Sequence, residues 1–183
     1  QTMRSEIGAV GAKLYYEDNT IQHAGVVLGI HGVAGHIHKD IPKDNLGYFA
    51  RAALTQNLSA VTAACLLVRR EVFEKVGGLD DQNLEVAFND IDLCLRIREM
   101  GYSILFTPFA ELYHYESKSR GSDMAPDKIE RFKKEIAYMK DKWSEKLEHD
   151  PYYNLNLSLD SHDFSLSFPP RVVKPYLDIA DYE

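Results

Sequence analysis

The chain has 183 residues, 45% of them hydrophobic and 27% charged, which suits one soluble domain, with or without a tail, and a substantial buried core. A formal charge of −7 leaves no dominant basic field and so argues against a nucleic-acid backbone as the main partner. A phosphate-bearing ligand stays compatible if a metal cation reverses the local sign.

Two strands joined by the turn "EDNT" are predicted over residues 7–30, "IGAVGAKLYYEDNTIQHAGVVLGI". The Gly- and His-rich "GVVLGIHGVAGHIHKDIPKDN" that overlaps and follows reads as a structured loop. Its glycines lack the dinucleotide-binding spacing and no helical run follows them, so phosphate cradling is disfavoured. His31, His36 and His38 fall in this loop with spacing H-x4-H-x-H. With no Cys nearby, that pattern is a weak zinc signature, and acceptor-side contacts or polar surface compete with it. Residues 59–69, "SAVTAACLLVR", form an apolar run of strand length, expected to be buried on both faces. Cys65 and Cys94 both lie in apolar runs and read as buried thiols of a reducing compartment.

"REVFEKVGG" predicts a short helix ending at Gly77 and Gly78, and "LDDQNLEVAF" leads on to "FNDIDLCLRIREMGY". In the latter, Ile91, Cys94 and Leu95 share a helical face that Leu93, Ile97 and Met100 widen, and Gly101 is a natural stop. Asn89 or Asp90 is expected to cap the first turn, whose positive end suits acids. Asp92, Arg96 and Glu99 are expected on the wet side, with Asp92 paired to Arg96. Capping accounts for one of the two acids and leaves the other as a candidate for chemistry. Beyond Gly101 come a strand "YSILFT", a break at Pro108, and a second strand "AELYHYE". "PDKIERFKKEIAYMKDKWSEKLEH" is a long amphipathic helix opening at Pro126, and from Asp150 the pattern dissolves into an aromatic, Asn/Ser/Pro-rich stretch. Alternating strands and helices define an α/β layered fold. The opening on Gln1 and the small number of strand–helix–strand units suggest a piece of a larger fold.

The run from "VTAACLLVRREVFEKVGGLDD" through "FNDIDLCLRIREMGYSILFTPFAELYHYESKSRG" resembles the C-terminal half of family 2 glycosyltransferases of the GT-A fold. It is most similar to bacterial enzymes that build rhamnose-rich and O-antigen polysaccharides. "GAKLYYEDNTIQHAGVVLG" and "DPYYNLNLSLDSHDFSL" extend the likeness over most of residues 7–168. The resemblance implies a partial GT-A sheet with flanking helices and its N-terminal half missing. Residues 1–149 would be the acceptor-side half of that domain, and 150–183 an irregular tail. It also implies transfer of a sugar, with inversion, from a nucleotide-sugar donor to a glycan or lipid-linked acceptor.

Such a displacement needs a base for the acceptor proton and positive charge on the leaving diphosphate. The family's base maps onto Asp90, in the motif Asn89-Asp90 where Glu-Asp is commoner. His114, at the end of "ELYH", maps onto a strand-end histidine that ligates a divalent cation, Mn or Mg. Asn89, Ser117, Ser119 and Arg120 are the expected substrate contacts. Neither the donor-binding opening strand nor the strand-end Asp-x-Asp metal motif occurs here, so the segment alone is expected to be inactive. A non-catalytic glycan-binding or assembly module is the competing reading. A cytoplasmic setting follows, with peripheral contact at the inner membrane face and self-association through an uncovered sheet edge.

Overall fold

The computed structural model describes residues 1–115 and 126–172. They form a mixed α/β fold built on β1 (Ile7–Tyr15), all of it buried. Along one side β1 pairs in parallel with β7 (Ser103–Tyr113). Along the other it meets two short antiparallel strands, β2 (Ile21–His23) at its carboxyl end and β6 (Leu66–Val68) nearer its start. β5 (Gln56–Leu58) lies antiparallel on the far side of β7. The expected pair of strands around the "EDNT" turn is thus β1 and β2.

Three expectations need correction. The Gly-rich stretch is not all loop, because β3 (Val26–Leu28) and β4 (Ala34–His36) pair as a small antiparallel sheet of their own. Residues 59–69 are not one doubly buried strand: Ser59 to Thr62 are buried without being strand, Ala63–Cys65 form a 3-10 turn, and Leu67 is 60% exposed on β6. The backbone amides explain this, since Ala64 N–H donates to the Thr62 hydroxyl and Ala63 N–H to Asp90, leaving neither for a sheet neighbour. Finally, Pro108 does not split two strands. β7 continues past it, with Thr107 opposite Ala12 and Glu111 opposite Lys13, so residues 108–110 bulge out and Phe109 is 83% exposed. A bulge is where a proline fits within a sheet.

The helices α1 (Arg70–Lys75) and α2 (Asn89–Glu99) end at the expected glycines, and α3 (Pro126–Glu148) starts at Pro126. α2 packs against β1 closely enough that a Cβ on Gly8 would lie 2.4 Å from Ile97, while one on Gly11 would lie 2.5 Å from Val61. Only glycine permits that approach. Ile91, Leu93, Cys94, Leu95 and Ile97 are buried as the pattern requires, and join Phe106, Leu58, Met139 and Trp143 in the main core. Burial pushes the Cys94 thiol up to about 12, so it serves as packing. Tyr153, Leu157 and Phe164 of the irregular C-terminal stretch fill a second core with Val27, Ile30 and Ile37.

The wet side expected of α2 is wrong at one position. Asp92 is fully buried, and its pairing with Arg96 at 2.7 Å is joined by Lys142 at 2.7 Å and the Trp143 indole at 2.9 Å. Arg96 also donates to the carbonyls of Val76 and Gly78 at the end of α1. Desolvation pulls the Lys142 ammonium down, but the Asp92 carboxylate and the Tyr138 hydroxyl more than reverse this and leave its pKa raised. Asp92→Ala strands a guanidinium and an ammonium around a hole, and we expect it to cost about 3–5 kcal/mol in urea denaturation. Glu99→Ala, which breaks only the exposed pair with Lys146, should cost about 0–1 kcal/mol.

Candidate functional site

Asp90 stands in the first turn of α2, half-buried. The N-cap position is Phe88, in the left-handed region at φ 63° and without a side-chain capping bond, and not Asn89 or Asp90. Asp90 still satisfies one amide of the first turn, since its Oδ1 accepts from Ile91 N–H at 2.9 Å, while its Oδ2 accepts from Ala63 N–H at 3.0 Å. Each oxygen keeps a lone pair, so the carboxylate is held in orientation while still able to accept a proton. Asn89 is half-buried at the same helix start. A bulky residue at positive φ is strained, and here α3 sustains it. Phe88 stacks on Phe132 at 5.6 Å, and Glu135 accepts from Val86 N–H at 2.8 Å.

His114 directly follows β7, and its N–H donates to the Tyr15 carbonyl at the end of β1. Its side chain meets Gln22, with His114 Nδ1 2.8 Å from Gln22 Oε1, and the Gln22 amide nitrogen donates to the His114 carbonyl at 3.2 Å. Sequence reasoning passed over Gln22, because a buried glutamine in a three-residue strand carries no periodic signal. Ser117, Ser119 and Arg120 lie outside the described residues.

α2 runs antiparallel to its neighbours β1 and β7. Ile97, near its end, meets Gly8 near the start of β1, and Cys94 bonds Val61, which packs on Gly11. The start of α2 therefore faces the carboxyl ends of the two parallel strands. With 1.5 Å of rise per helical residue and about 3.3 Å per strand residue, Asp90 and His114 lie about 10–16 Å apart along the strands.

His31 is exposed, His36 is half-buried with Nδ1 3.0 Å from the Gln22 carbonyl, and His38 is buried, accepting from Tyr48 N–H. Among the described residues no three His, Cys, Asp or Glu side chains gather to hold a metal ion. Ser59 faces the interior, bonded to Asp150 and Arg98, and Trp143 and Tyr153 are core residues. Tyr152 is half-buried beneath the Arg98 guanidinium. A cleft of about 290 Å³ lined by Leu95, Arg98, Lys146 and His149 lies at the far end of α2 from Asp90. Its cations sit at the carboxyl-terminal ends of two helices, where the helix dipoles already favour them. No helix among the described residues is long and apolar enough to cross a membrane.

No known protein-family model matches the chain. It is 56% identical, over 91% of its length, to the protein named Uncharacterized protein y4gI of Sinorhizobium fredii, covering 18% of it. It is 39% identical, over 93% of its length, to O-antigen biosynthesis protein RfbC of Myxococcus xanthus, covering 13% of it. Against the N-acetylglucosaminyl-diphospho-decaprenol L-rhamnosyltransferase of Mycobacterium tuberculosis it is 32% identical over 46% of its length, covering 27% of that protein. The chain thus spans less than a third of the curated relatives it matches. Two of these names point to glycosyl transfer and polysaccharide biosynthesis.

Two buried histidines make stability depend on acidity. His23 is fully buried with both ring nitrogens unpaired, edge-on to His36 at 4.9 Å. Desolvation, helped by His36, holds its pKa well below the usual value. Desolvation, then Arg51 and Lys13, lowers His38 from 6.5 to about 4. Both rings stay neutral in the fold while the unfolded chain takes up protons below about pH 6.5. Their contribution is complete above that value and is lost as pH falls through it toward 4 and below. Each can remove up to about 1.4 kcal/mol per pH unit. Urea midpoints should fall steeply over that window, and His23→Phe should flatten the fall.

Proposed function

We propose that this chain is the acceptor-side half of an inverting family 2 glycosyltransferase with a GT-A fold, working in bacterial polysaccharide biosynthesis. One observation carries the reading. An oriented, half-buried carboxylate and a strand-end imidazole face the carboxyl ends of two adjacent parallel strands, the end where open α/β sheets bind their ligands. The names of the relatives and the order of the sequence blocks support the same class.

In this reading Asp90 removes the proton of the acceptor hydroxyl as that oxygen attacks the donor sugar carbon opposite the departing nucleoside diphosphate. Its bonds to Ala63 and Ile91 fix the carboxylate orientation before the acceptor arrives. Asn89 lies beside it for a polar contact with substrate. Ser117, Ser119 and Arg120 follow His114 in sequence and would bind the diphosphate. His114 fits one imidazole ligand of a divalent cation, Mn or Mg, and the other ligands would come from outside the described residues. Bound there, the cation would offset the charge of the leaving diphosphate. The acceptor is a glycan or a lipid-linked sugar; a nucleotide-sugar donor and free thiols suit the cytoplasm, and a lipid-linked acceptor would be met at the inner face of the membrane.

The chemistry sets the test. In the longer parent protein, Asp90→Asn should lower kcat by about 100- to 10,000-fold with KM little changed. The 183 residues alone should turn over no nucleotide sugar, because donor, cation and base must be held together. A glycan-binding module would instead keep cation-independent glycan affinity when Asp90 is changed, and unaltered parent turnover in Asp90→Asn refutes the assignment.

A further inference from the structure

We infer that Gln22 is the positioning residue for His114, fixing the ring as the Nδ1–H tautomer so that its lone pair lies on Nε2. The use of that lone pair for a cation rests on the function proposed above; the tautomer itself does not. β2 pairs with β1 as His23 opposite Leu14 and Ile21 opposite Tyr15, which leaves Gln22 as the extra residue of a β-bulge. Bulges re-aim side chains, and this one directs a buried side chain at the residue following β7.

Chemistry then removes the ambiguity between the two ends of the amide. The His114 backbone carbonyl can only accept, so the Gln22 NH2 must face it, as it does at 3.2 Å. The Gln22 oxygen is thereby turned to His114 Nδ1 at 2.8 Å, and an oxygen there can only accept. Nδ1 must carry the hydrogen, and Nε2 cannot. The clamp is itself held from behind. The Gln22 carbonyl faces His36 Nδ1 at 3.0 Å, which makes that nitrogen a donor by the same logic. With the backbone bond from His114 to Tyr15, the imidazole is tied to β1 and β2 together. A purely packing role would need a side chain of this volume at position 22, but not a donor and an acceptor disposed in this order.

The test reads the tautomer directly. Long-range proton–nitrogen correlation spectra of 15N-labelled chain, at a pH where the ring is neutral, distinguish the two forms. His114→Gln assigns the signals. Wild type should show Nδ1–H, Gln22→Met should shift His114 toward Nε2–H, and Gln22→Glu, which keeps an oxygen facing Nδ1, should retain Nδ1–H. Wild type found as Nε2–H overturns the inference without any variant, and so does a Gln22→Met spectrum identical to wild type.

Titration of the longer parent protein, which would supply the remaining ligands, with Mn²⁺ separates this from the wider reading. Selective broadening of the His114 ring, with affinity weakened about 10- to 100-fold in Gln22→Met, supports both. If the tautomers behave as stated but Mn²⁺ leaves His114 sharp, Gln22 keeps its role and the metal assignment of His114 falls.

Discussion

The arrangement depends most heavily on one buried negative charge. Taking the Asp92 carboxylate out of water costs several kcal/mol, a cost that only close cationic partners with good geometry offset. Arg96 and Lys142 supply the charge, and the Trp143 indole occupies a further lone pair. The energetic gain over an apolar replacement is small on such reasoning; the gain in definition is large. Arg96 reaches the end of α1 through Val76 and Gly78, while Lys142 and Trp143 belong to α3. A single side chain thereby fixes three helices against one another, two residues beyond Asp90.

That fixation is transmitted to the start of α2 by contacts of the same helix, α3. Tyr138 donates to Asp80 at 2.7 Å, Glu135 receives Val86, and Phe132 stacks on Phe88, so the loop entering α2 is held along its length. The cost of the left-handed Phe88, of order 1–3 kcal/mol, is spread over these contacts. With the N-cap position taken by Phe88, Asp90 gives one oxygen to the first-turn amide of Ile91 and the other to Ala63, which ties α2 to the turn preceding β6. The acid is therefore oriented by backbone groups from two elements, with few degrees of freedom left.

Much of this was legible from residue patterns because local signals and tertiary structure agree. The apolar face of α2, the glycine stops at Gly77 and Gly101, and Pro126 at the start of α3 each follow from rules acting within a few residues. The failures occur where a distant group intervened. Asp92 spells a wet i, i+4 pair with Arg96, and only α3, about 50 residues later, turns it inward. "SAVTAACLLVR" has the composition of a buried strand, yet Asp90 and Thr62 take two of its amides. Gln22 gave no signal, since a bulge depends on register between strands and not on either strand alone.

Irregular backbone is distributed unevenly along the central strands. Toward the amino ends of β1 and β7 the register shifts at Gly8, where Ile97 of α2 and Tyr102 close over the strand. Further irregularities lie toward the carboxyl ends. Asn19 follows β1 at φ 64°, Asp40 at φ 65° bonds to the start of β2, and Phe88 precedes α2. Phe49 and Ala50, at φ 48° and 60°, lie in the 3-10 segment Tyr48–Ala53 that precedes β5. The bulge at residues 108–110 and the bulged Gln22 lie toward the carboxyl ends too. Conformations of this kind persist only where surrounding contacts over-determine them, and they gather at ligand sites because a site needs groups aimed in directions regular structure does not supply.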